Sequence, residues 1–169
     1  ISNRKNIIIF HGSDLPQGKG WAPIFNSLNE NKKFYTISGI LPADEVDSGD
    51  IVCQAKFEIK DNYTAEYIRE FDNEISIMMS KQICEKFDKN ILHGKKQTGS
   101  ESYYPLRRPE DNEIKPNSVI AEIFNFLRAC EKTHPAYFFF NKTKYILSLT
   151  PEKEPDFPSD LEITFFNDE

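Results

Sequence analysis

Two hydrophobic periods alternate along this chain and predict an α/β fold. Residues 6–10 and 51–59 are short, rich in β-branched residues and typical of strands. Between residues 63 and 87 the apolar positions recur at helical spacing, so we expect one long helix there. Its apolar stripe is predicted to lie in the core and consists of Tyr67, Ile68, Phe71, Ile75, Met78, Met79 and Ile83.

The C-terminal part of the sequence predicts a second helix and a β-hairpin. Either Asn117 or Ser118 is expected to cap a helix whose apolar stripe contains Ile120, Ile123, Phe124 and Leu127. Residues 136–140 and 144–149 are strand-like and are separated by a polar turn, residues 141–143. An acidic, proline-rich tail covers residues 151–169, and its last apolar residues predict one edge strand formed by Leu161, Ile163, Phe165 and Phe166.

Composition narrows the class of protein and of partner. The chain has 169 residues and a net charge of −6, the size of one domain with room for a small appendage. Because no basic run offsets this charge, we expect no nucleic-acid partner. No apolar stretch is long enough to span a bilayer and no Cys/His cluster has metal-ligand spacing, so we expect neither membrane nor metal binding.

The cysteines indicate the compartment. Cys53, Cys84 and Cys130 lie in strand- or helix-like runs without paired spacing. We therefore expect buried free thiols in a reducing cytosol and a cytoplasmic protein.

A histidine follows the first predicted strand directly. His11 ends the apolar run of residues 6–10, and the next twelve residues contain three glycines and two prolines. Open α/β sheets place their chemistry in the crevice beyond such strand ends. An imidazole there can accept a proton from an attacking nucleophile. If His11 is considered alone, a histidine that only caps the end of the strand, without a catalytic role, is an equally good interpretation.

Two segments together carry a specific resemblance. The first contains His11, Ser13, Leu15, Pro16, Gly20 and Pro23. The second is Asp47-Ser48-Gly49-Asp50, whose first aspartate follows the histidine by 36 residues. In residue identity and in spacing they resemble the folate-dependent formyltransferases, which carry His-x-Ser-x-Leu-Pro-x-x-x-Gly-x-x-Pro and then Asp-x-Gly-Asp. The resemblance extends from about residue 6 to residue 150.

The resemblance implies a fold and a division of the chain. Residues 1–92 correspond to the C-terminal half of a Rossmann-like formyltransferase domain, a mixed sheet with flanking helices. Residues 93–102 are expected to connect it to a small α+β appendage, residues 103–150, that contains the hairpin.

The resemblance also implies the chemistry. The formyl donor would be N10-formyltetrahydrofolate, with no metal and no covalent enzyme intermediate. His11 would be the catalytic acid/base, and Asp47 would orient its ring and stabilise its charged form. Folate would contact the loop residues Ser13, Leu15, Pro16 and Gly49.

Residues 103–140 resemble one branch of that family. Residues 107–111 match an Arg-x-Pro-Glu-Asp segment, and residues 124–139 resemble the branch that formylates nucleotide-linked amino sugars, precursors of surface polysaccharide such as lipopolysaccharide O-antigen. This implies a homodimer and a substrate contacted by Asn125, Arg128, Tyr137 and Arg107. Two alternatives stay open: another amine acceptor such as initiator methionyl-tRNA, and a non-catalytic module that binds nucleotide-sugar or folate.

The sequence departs from the family pattern in two places. The chain opens at the strand that carries His11, so we expect a fragment of a longer protein whose preceding βα units are absent and whose strand at residues 6–10 is an exposed edge. Ile9 occupies the position where the family usually has an asparagine that binds the oxygen of the tetrahedral intermediate. Loss of such a donor typically costs about 2.7–4 kcal/mol of transition-state stabilisation.

Overall fold

The computed structural model describes residues 7–86 and 93–166. Its central element is a four-stranded antiparallel sheet in the order β1 (Ile9–His11), β3 (Phe34–Ile40), β4 (Ile51–Glu58) and β8 (Glu162–Phe165). A two-stranded ribbon pairs β2 (Lys19–Gly20) in parallel with β5 (Tyr103–Tyr104). The α/β class with mixed strand directions is confirmed, and the predicted edge strand near the C-terminus is confirmed as β8.

The first predicted strand is shorter and shifted. Only Ile9 and Phe10 of the predicted residues 6–10 belong to β1, which continues to His11 and pairs that residue with Ser38 of β3. Residues 7 and 8 are not in a strand, and Asn6 lies outside the described residues. Within the described part of the chain, β1 forms one edge of the sheet.

The long helix α2 (Ala65–Lys86) lies close to its predicted bounds. Five residues of the predicted stripe are buried: Ile68, Phe71, Ile75, Met79 and Ile83. The prediction was wrong for Met78, which is 40% exposed, because it lies one position from Met79 and therefore about 100° around the helix. Phe87, the predicted last residue, lies outside the described residues.

An aromatic cluster joins this helix to the sheet. The rings of Tyr63 and Phe71 have centroids 5.3 Å apart, and Phe57 of β4 packs 6.3 Å from each of them. Tyr35 of β3 continues the cluster at 5.5 Å from Phe57. Ring pairs at these separations stabilise the fold beyond the effect of buried area alone. The face of the sheet that meets α2 is therefore well packed.

The C-terminal segment packs onto the same core. Helix α3 (Ile120–Ala129) contacts the short helix α1 (Pro23–Asn29), where Phe126 meets Phe25 edge-on at 5.6 Å. The predicted N-caps were wrong: Val119 occupies that position, without a side-chain cap. Ser118 lies one residue earlier, where its N–H closes a turn by donating to Lys115 O at 3.0 Å.

The predicted hairpin is confirmed as β6 (Ala136–Phe140) and β7 (Thr143–Leu147). Its turn has two residues rather than three. Asn141 and Lys142 adopt φ of 48° and 63°, the left-handed pair that matches the twist of a two-residue hairpin. Thr143 therefore pairs with Phe140 inside the ladder.

Burial of the thiols differs from the expectation at one position. Cys53 is buried and Cys130 half-buried, whereas Cys84 is exposed near the end of α2. Within residues 7–86 and 93–166, no helix is long and apolar enough to cross a membrane.

Candidate functional site

The loop after β1 folds back onto the histidine that precedes it. Ser13 N–H donates to His11 O at 2.9 Å, which turns the chain sharply at the end of the strand. Gly18 and Gly20 then adopt φ of 73° and 92°. At Gly20 a Cβ atom would lie 2.5 Å from Tyr104 O, so the close pairing of β2 with β5 requires glycine there.

The imidazole of His11 is held between two oxygen atoms. Nδ1 lies 3.5 Å from Asp47 Oδ2, and Nε2 lies 2.9 Å from Gly18 O. A carbonyl oxygen only accepts hydrogen bonds, so Nε2 carries the hydrogen in this arrangement. A doubly protonated ring would donate to both oxygens. The predicted proximity of His11 and Asp47 is therefore confirmed, while their catalytic roles stay predictions.

Asp47 is fixed by contacts from two distant segments, the loop after β1 and Gln97. Its Oδ2 also accepts from Gly20 N–H at 2.9 Å. Gln97 Nε2 donates to Asp47 O and Gly49 O, each at 2.8 Å, and closes the loop from the other side. A Cβ on Gly49 would lie 1.6 Å from Leu41 O, so this loop position admits no side chain. The carboxylate is consequently held in place before any ligand arrives.

A cavity of about 460 Å³ opens beside His11. It lies between the loop that follows β1, the helices α1 and α2, and the chain on both sides of α3. Its polar lining includes His11, Arg69, Asp72, Arg107, Arg108 and His134. Trp21, which is 56% exposed, stands at its wall. The volume suits a small ligand group surrounded by hydrogen-bonding side chains.

The ionisable groups of this cavity are strongly affected by burial. Burial raises the pKa of Asp72, against the effect of hydrogen bonds from Tyr35 and Ser76. Burial and the neighbouring Asp72 hold the pKa of Tyr35 well above its usual range. Burial also raises the pKa of Cys130 to about 11, so this thiol stays protonated at neutral pH and is a poor nucleophile.

The four predicted folate contacts form the interior of the loops. Ser13, Leu15 and Gly49 are buried, and Pro16 is half-buried. Leu15 packs with Ile40 and Ile51 in a small apolar cluster. Ser13 O accepts from Ser38 Oγ at 2.7 Å, while the buried Ser13 Oγ has no hydrogen-bond partner among the described residues.

One of the four predicted substrate contacts lines the cavity. The guanidinium of Arg107 lies 3.2 Å from the centroid of the Phe25 ring and donates to Asn112 Oδ1. Tyr137 is buried in the hairpin, where Lys144 Nζ lies 3.6 Å from its ring centroid. It does not line the cavity.

Asn125 and Arg128 lie on one helical flank, as predicted, but away from the cavity. Arg128 Nε donates to Asn125 Oδ1 at 2.9 Å. Its Nη1 donates to Lys60 O at 3.1 Å and to Tyr63 O at 3.4 Å. This buried guanidinium satisfies main-chain carbonyls before helix α2, and the contacts give no support to its predicted binding role.

The sequence reasoning missed Tyr35 and Asp72. Asp72 directly follows the core residue Phe71 and precedes Ile75 by three, so it lies beside the apolar stripe of a helix predicted to be core. A carboxylate in that position is seldom buried without a reason. An acidic residue beside a predicted core stripe was the sequence signal that could have identified Asp72.

A profile of the family described as formyl transferase matches residues 2–80. That segment contains His11 and Asp47 in the arrangement described above. Residues 2–80 belong to the formyl transferase family.

Two curated relatives are methionyl-tRNA formyltransferases. The chain is 30% identical over 132 residues to a methionyl-tRNA formyltransferase of Thermodesulfovibrio yellowstonii, covering 78% of this chain and 43% of the relative. A methionyl-tRNA formyltransferase of Pelagibacter ubique is 27% identical over 146 residues, covering 84% and 46%. The chain spans less than half the length of these relatives. Their tRNA substrate is at odds with the expectation of no nucleic-acid partner.

Solved structures share the fold. Methionyl-tRNA formyltransferase from Clostridium thermocellum has a TM-score of 0.71 at 24% identity, covering 94% of this chain and 69% of that one. A 4-N formyltransferase from Francisella tularensis has a TM-score of 0.75 at 19% identity, covering 87% and 63%. An N-formyltransferase from Helicobacter canadensis, in complex with folinic acid and dTDP-3-aminofucose, has a TM-score of 0.68 at 23% identity, covering 83% and 53%.

Proposed function

We propose that the full-length protein transfers a formyl group from N10-formyltetrahydrofolate to a primary amine. One observation carries the proposal: His11 lines a cavity large enough for the reacting groups, and its Nδ1 lies 3.5 Å from Asp47 Oδ2. Family membership of residues 2–80 supports the same reaction class.

The reaction moves one carbon and one proton. The amine nitrogen attacks the formyl carbon, the new C–N bond forms, and the bond from that carbon to N10 of the folate breaks. The amine loses a proton and the departing N10 gains one. In our proposal His11 is the acid/base for these transfers, and Asp47 orients the ring and stabilises its charged form.

Charged His11 would also assist the tetrahedral intermediate. With Ile9 in strand β1, the side chain two residues before the histidine offers no hydrogen-bond donor. An imidazolium at the cavity wall stabilises negative charge that develops on the formyl oxygen. This assigns to His11 part of the work that the family's usual asparagine performs.

The loops of residues 12–20 and 47–50 are proposed to hold the folate donor, through Ser13, Leu15, Pro16 and Gly49. Ser13 Oγ supports this assignment because it is buried and has no hydrogen-bond partner among the described residues. A buried hydroxyl in that state is stabilised when a ligand supplies its missing partner. The formyl group of the donor is already activated, so the proposed reaction requires no metal.

The acceptor is proposed to be a nucleotide-linked amino sugar. The net charge of −6 disfavours a polyanionic tRNA surface, and Arg107 supplies a cation in the cavity wall for a phosphate-bearing ligand. Methionyl-tRNA is the second candidate, because the curated relatives carry that name. The homodimer, the cytoplasmic location and the contribution to surface polysaccharide stay predictions from the resemblance.

Parallel assays with both classes of acceptor test the function. The full-length protein is incubated with N10-formyltetrahydrofolate and either dTDP-3-aminofucose, a 4-amino sugar nucleotide or methionyl-tRNA, and the products are analysed by mass spectrometry. We expect a formyl-sized mass gain on an amino sugar, with reactions lacking the donor as control. Tight binding of these compounds without any mass gain would instead indicate a non-catalytic binding module.

A further inference from the structure

A second carboxyl group lines the cavity beside His11. Asp72 projects from helix α2 into the same cavity, and the charge of His11 is close enough to act on its pKa. Nothing in the family resemblance pointed to this residue. Its position raises the question of what a half-buried carboxyl does there.

The oxygens of Asp72 are held by hydroxyl groups rather than by a cation. Tyr35 OH donates to Oδ2 at 2.6 Å, and Ser76 Oγ lies 3.4 Å from Oδ1. Arg69, one turn earlier on the helix, instead donates to Glu131 Oε1 through Nε at 2.6 Å. Among the described residues, no Lys, Arg or His nitrogen lies within ion-pair distance of Asp72.

Tyr35 fixes this carboxyl against the histidine loop. Tyr35 is buried, and its hydroxyl oxygen lies only 2.1 Å from the position that a Cβ atom on Gly12 would occupy. Gly12 directly follows His11, and both of these residues line the cavity together with the hydrogen-bonded pair Tyr35 and Asp72. Oδ1 is left with one long contact and is the oxygen with capacity for a ligand.

The contacts of His11 leave a proton without an acceptor. A protonated amine must lose one proton before it can attack and a second as the C–N bond forms. Nδ1 of His11, however, faces Asp47, and Nε2 is bound to Gly18 O. In the doubly protonated form that satisfies both oxygens, His11 can accept a proton only after it has given one to the departing N10, so it is not available for the first proton. A different group has to receive the first proton of an ammonium substrate.

We propose that Asp72 binds the protonated primary amine of the acceptor and takes its proton before attack. The ammonium N–H bond breaks, the proton passes to the Asp72 carboxylate to give the carboxylic acid, and the electron pair stays on nitrogen as the nucleophilic lone pair. The second part of this proposal, proton transfer before attack, rests on the proposed formyl transfer. The binding of the amine by Asp72 rests on the cavity alone and does not depend on formyl transfer.

The environment of Asp72 suits this exchange. Burial raises the pKa of the carboxyl, which brings it closer to that of an amine and makes the proton transfer less uphill. The facing groups are Tyr35 from β3, His11 from β1, Arg69 from its own helix and Glu131 beyond α3. A bound ammonium would add the cation that the carboxylate lacks.

A binding measurement independent of turnover tests the first half. In the full-length protein with ¹³C-labelled aspartate, the Asp72 carboxyl resonance is identified by its loss in Asp72→Asn. It is then titrated with pH in n-propylammonium chloride or in n-propanol with matched salt. We expect the midpoint to fall by about 0.3 pH unit in n-propylammonium and to be unchanged in n-propanol. An unchanged midpoint, or equal shifts in both, would overturn the proposal.

Two further variants keep this test decisive. Tyr35→Phe identifies the same resonance by removing its hydrogen-bond donor, should Asp72→Asn fail to fold. Glu74→Gln removes an exposed carboxylate from the same helix and should leave the Asp72 response intact. Loss of the response in Glu74→Gln would show a general effect of charge on α2 and would contradict the site.

Turnover tests the second half. For formyl transfer to an amino sugar, Asp72→Asn should lower kcat/KM by about 10- to 100-fold, while Glu74→Gln stays within about twofold of wild type. Unchanged kcat/KM in Asp72→Asn would overturn the proton-transfer step. A wild-type protein whose Asp72 responds to n-propylammonium but which formylates no acceptor would overturn the proposed function and leave the amine site standing.

Discussion

The histidine loops and the C-terminal helix with its hairpin use their polar side chains in opposite ways. In the histidine loops, residues 11–20 and 47–50, the side chains of His11 and Asp47 meet beside a cavity although 36 residues separate them. In helix α3, the buried Arg128 is turned onto main-chain carbonyls of residues 60–63. Both regions resemble one enzyme family, yet of these three side chains only His11 lines the cavity.

The difference teaches what fixes a polar side chain in each region. Asp47 Oδ2 is positioned by the Gly20 N–H and by loops that tolerate no side chain at Gly49. Arg128 is positioned by carbonyl groups that would otherwise be buried without a donor. Asp47 is held in position to act on His11, whereas Arg128 uses its hydrogen bonds to stabilise the fold.

The largest effect is expected from His11→Asn. Loss of the acid/base should lower kcat/KM for formyl transfer by about 10²–10⁴-fold with substrate binding nearly unchanged, because little contact surface is removed. Steady-state kinetics and calorimetry measure the two quantities. The exposed His93→Asn is the matched control and should retain activity. Equal losses in both variants would contradict a special role for the histidine loops.

Gly49→Ala should break the loop that carries Asp47. A Cβ 1.6 Å from Leu41 O forces the backbone apart, so the free energy of unfolding should fall by about 3 kcal/mol in urea denaturation. Gly99→Ala offers a comparison: it has φ of 108° but nothing within 4 Å, and should lose about 1 kcal/mol. Equal stability of the two variants would show that the close approach at Gly49 is relaxed in solution.

Arg128→Met sharpens the contrast from the other region. Removing a donor to several carbonyls should lower the free energy of unfolding by about 2 kcal/mol while KM for the acceptor stays unchanged. Arg107→Met, at the cavity wall, should instead raise KM. If Arg128→Met raised KM and left stability intact, the sequence-based assignment of Arg128 to substrate would be right and the contrast between the regions wrong.

The smallest effect is expected at Ile9. Ile9→Asn places an amide on the same strand face as His11, two residues away. An added donor to the formyl oxygen should raise kcat/KM by up to about tenfold. Ile9→Leu adds no donor and should leave the rate as it is. A lower kcat/KM in Ile9→Asn would show that the formyl oxygen does not need an additional hydrogen-bond donor from position 9.

The sequence predicts elements and loops well where local pattern decides them. Helix α2, the hairpin and strand β8 follow from periodicity, and the His11–Asp47 pair follows from the resemblance to the formyltransferase motifs. Strand β3, helix α1 and the β2–β5 ribbon were not foreseen. The ribbon depends on main-chain bonds between distant segments, such as Lys19 N–H to Ser102 O at 3.0 Å. Side-chain identity carries little information about such pairings.

Side chains at the site divide in the same way. Helical spacing places Asn125 and Arg128 on one flank but does not say what that flank faces, and here it faces the chain of residues 60–63. Asp72 was missed for a related reason. Its function depends on Tyr35, a residue 37 positions away whose hydroxyl holds the carboxyl in the cavity.

The central claim is that His11 and Asp47 act as one unit, and a double-mutant cycle on kcat/KM tests it most directly. Because Asp47 is argued to act through the imidazole, Asp47→Asn should lower kcat/KM strongly in the wild-type background. The same change should have no further effect once His11→Asn is present. Losses that simply multiply in the double variant would contradict the claim and show that the two side chains contribute independently.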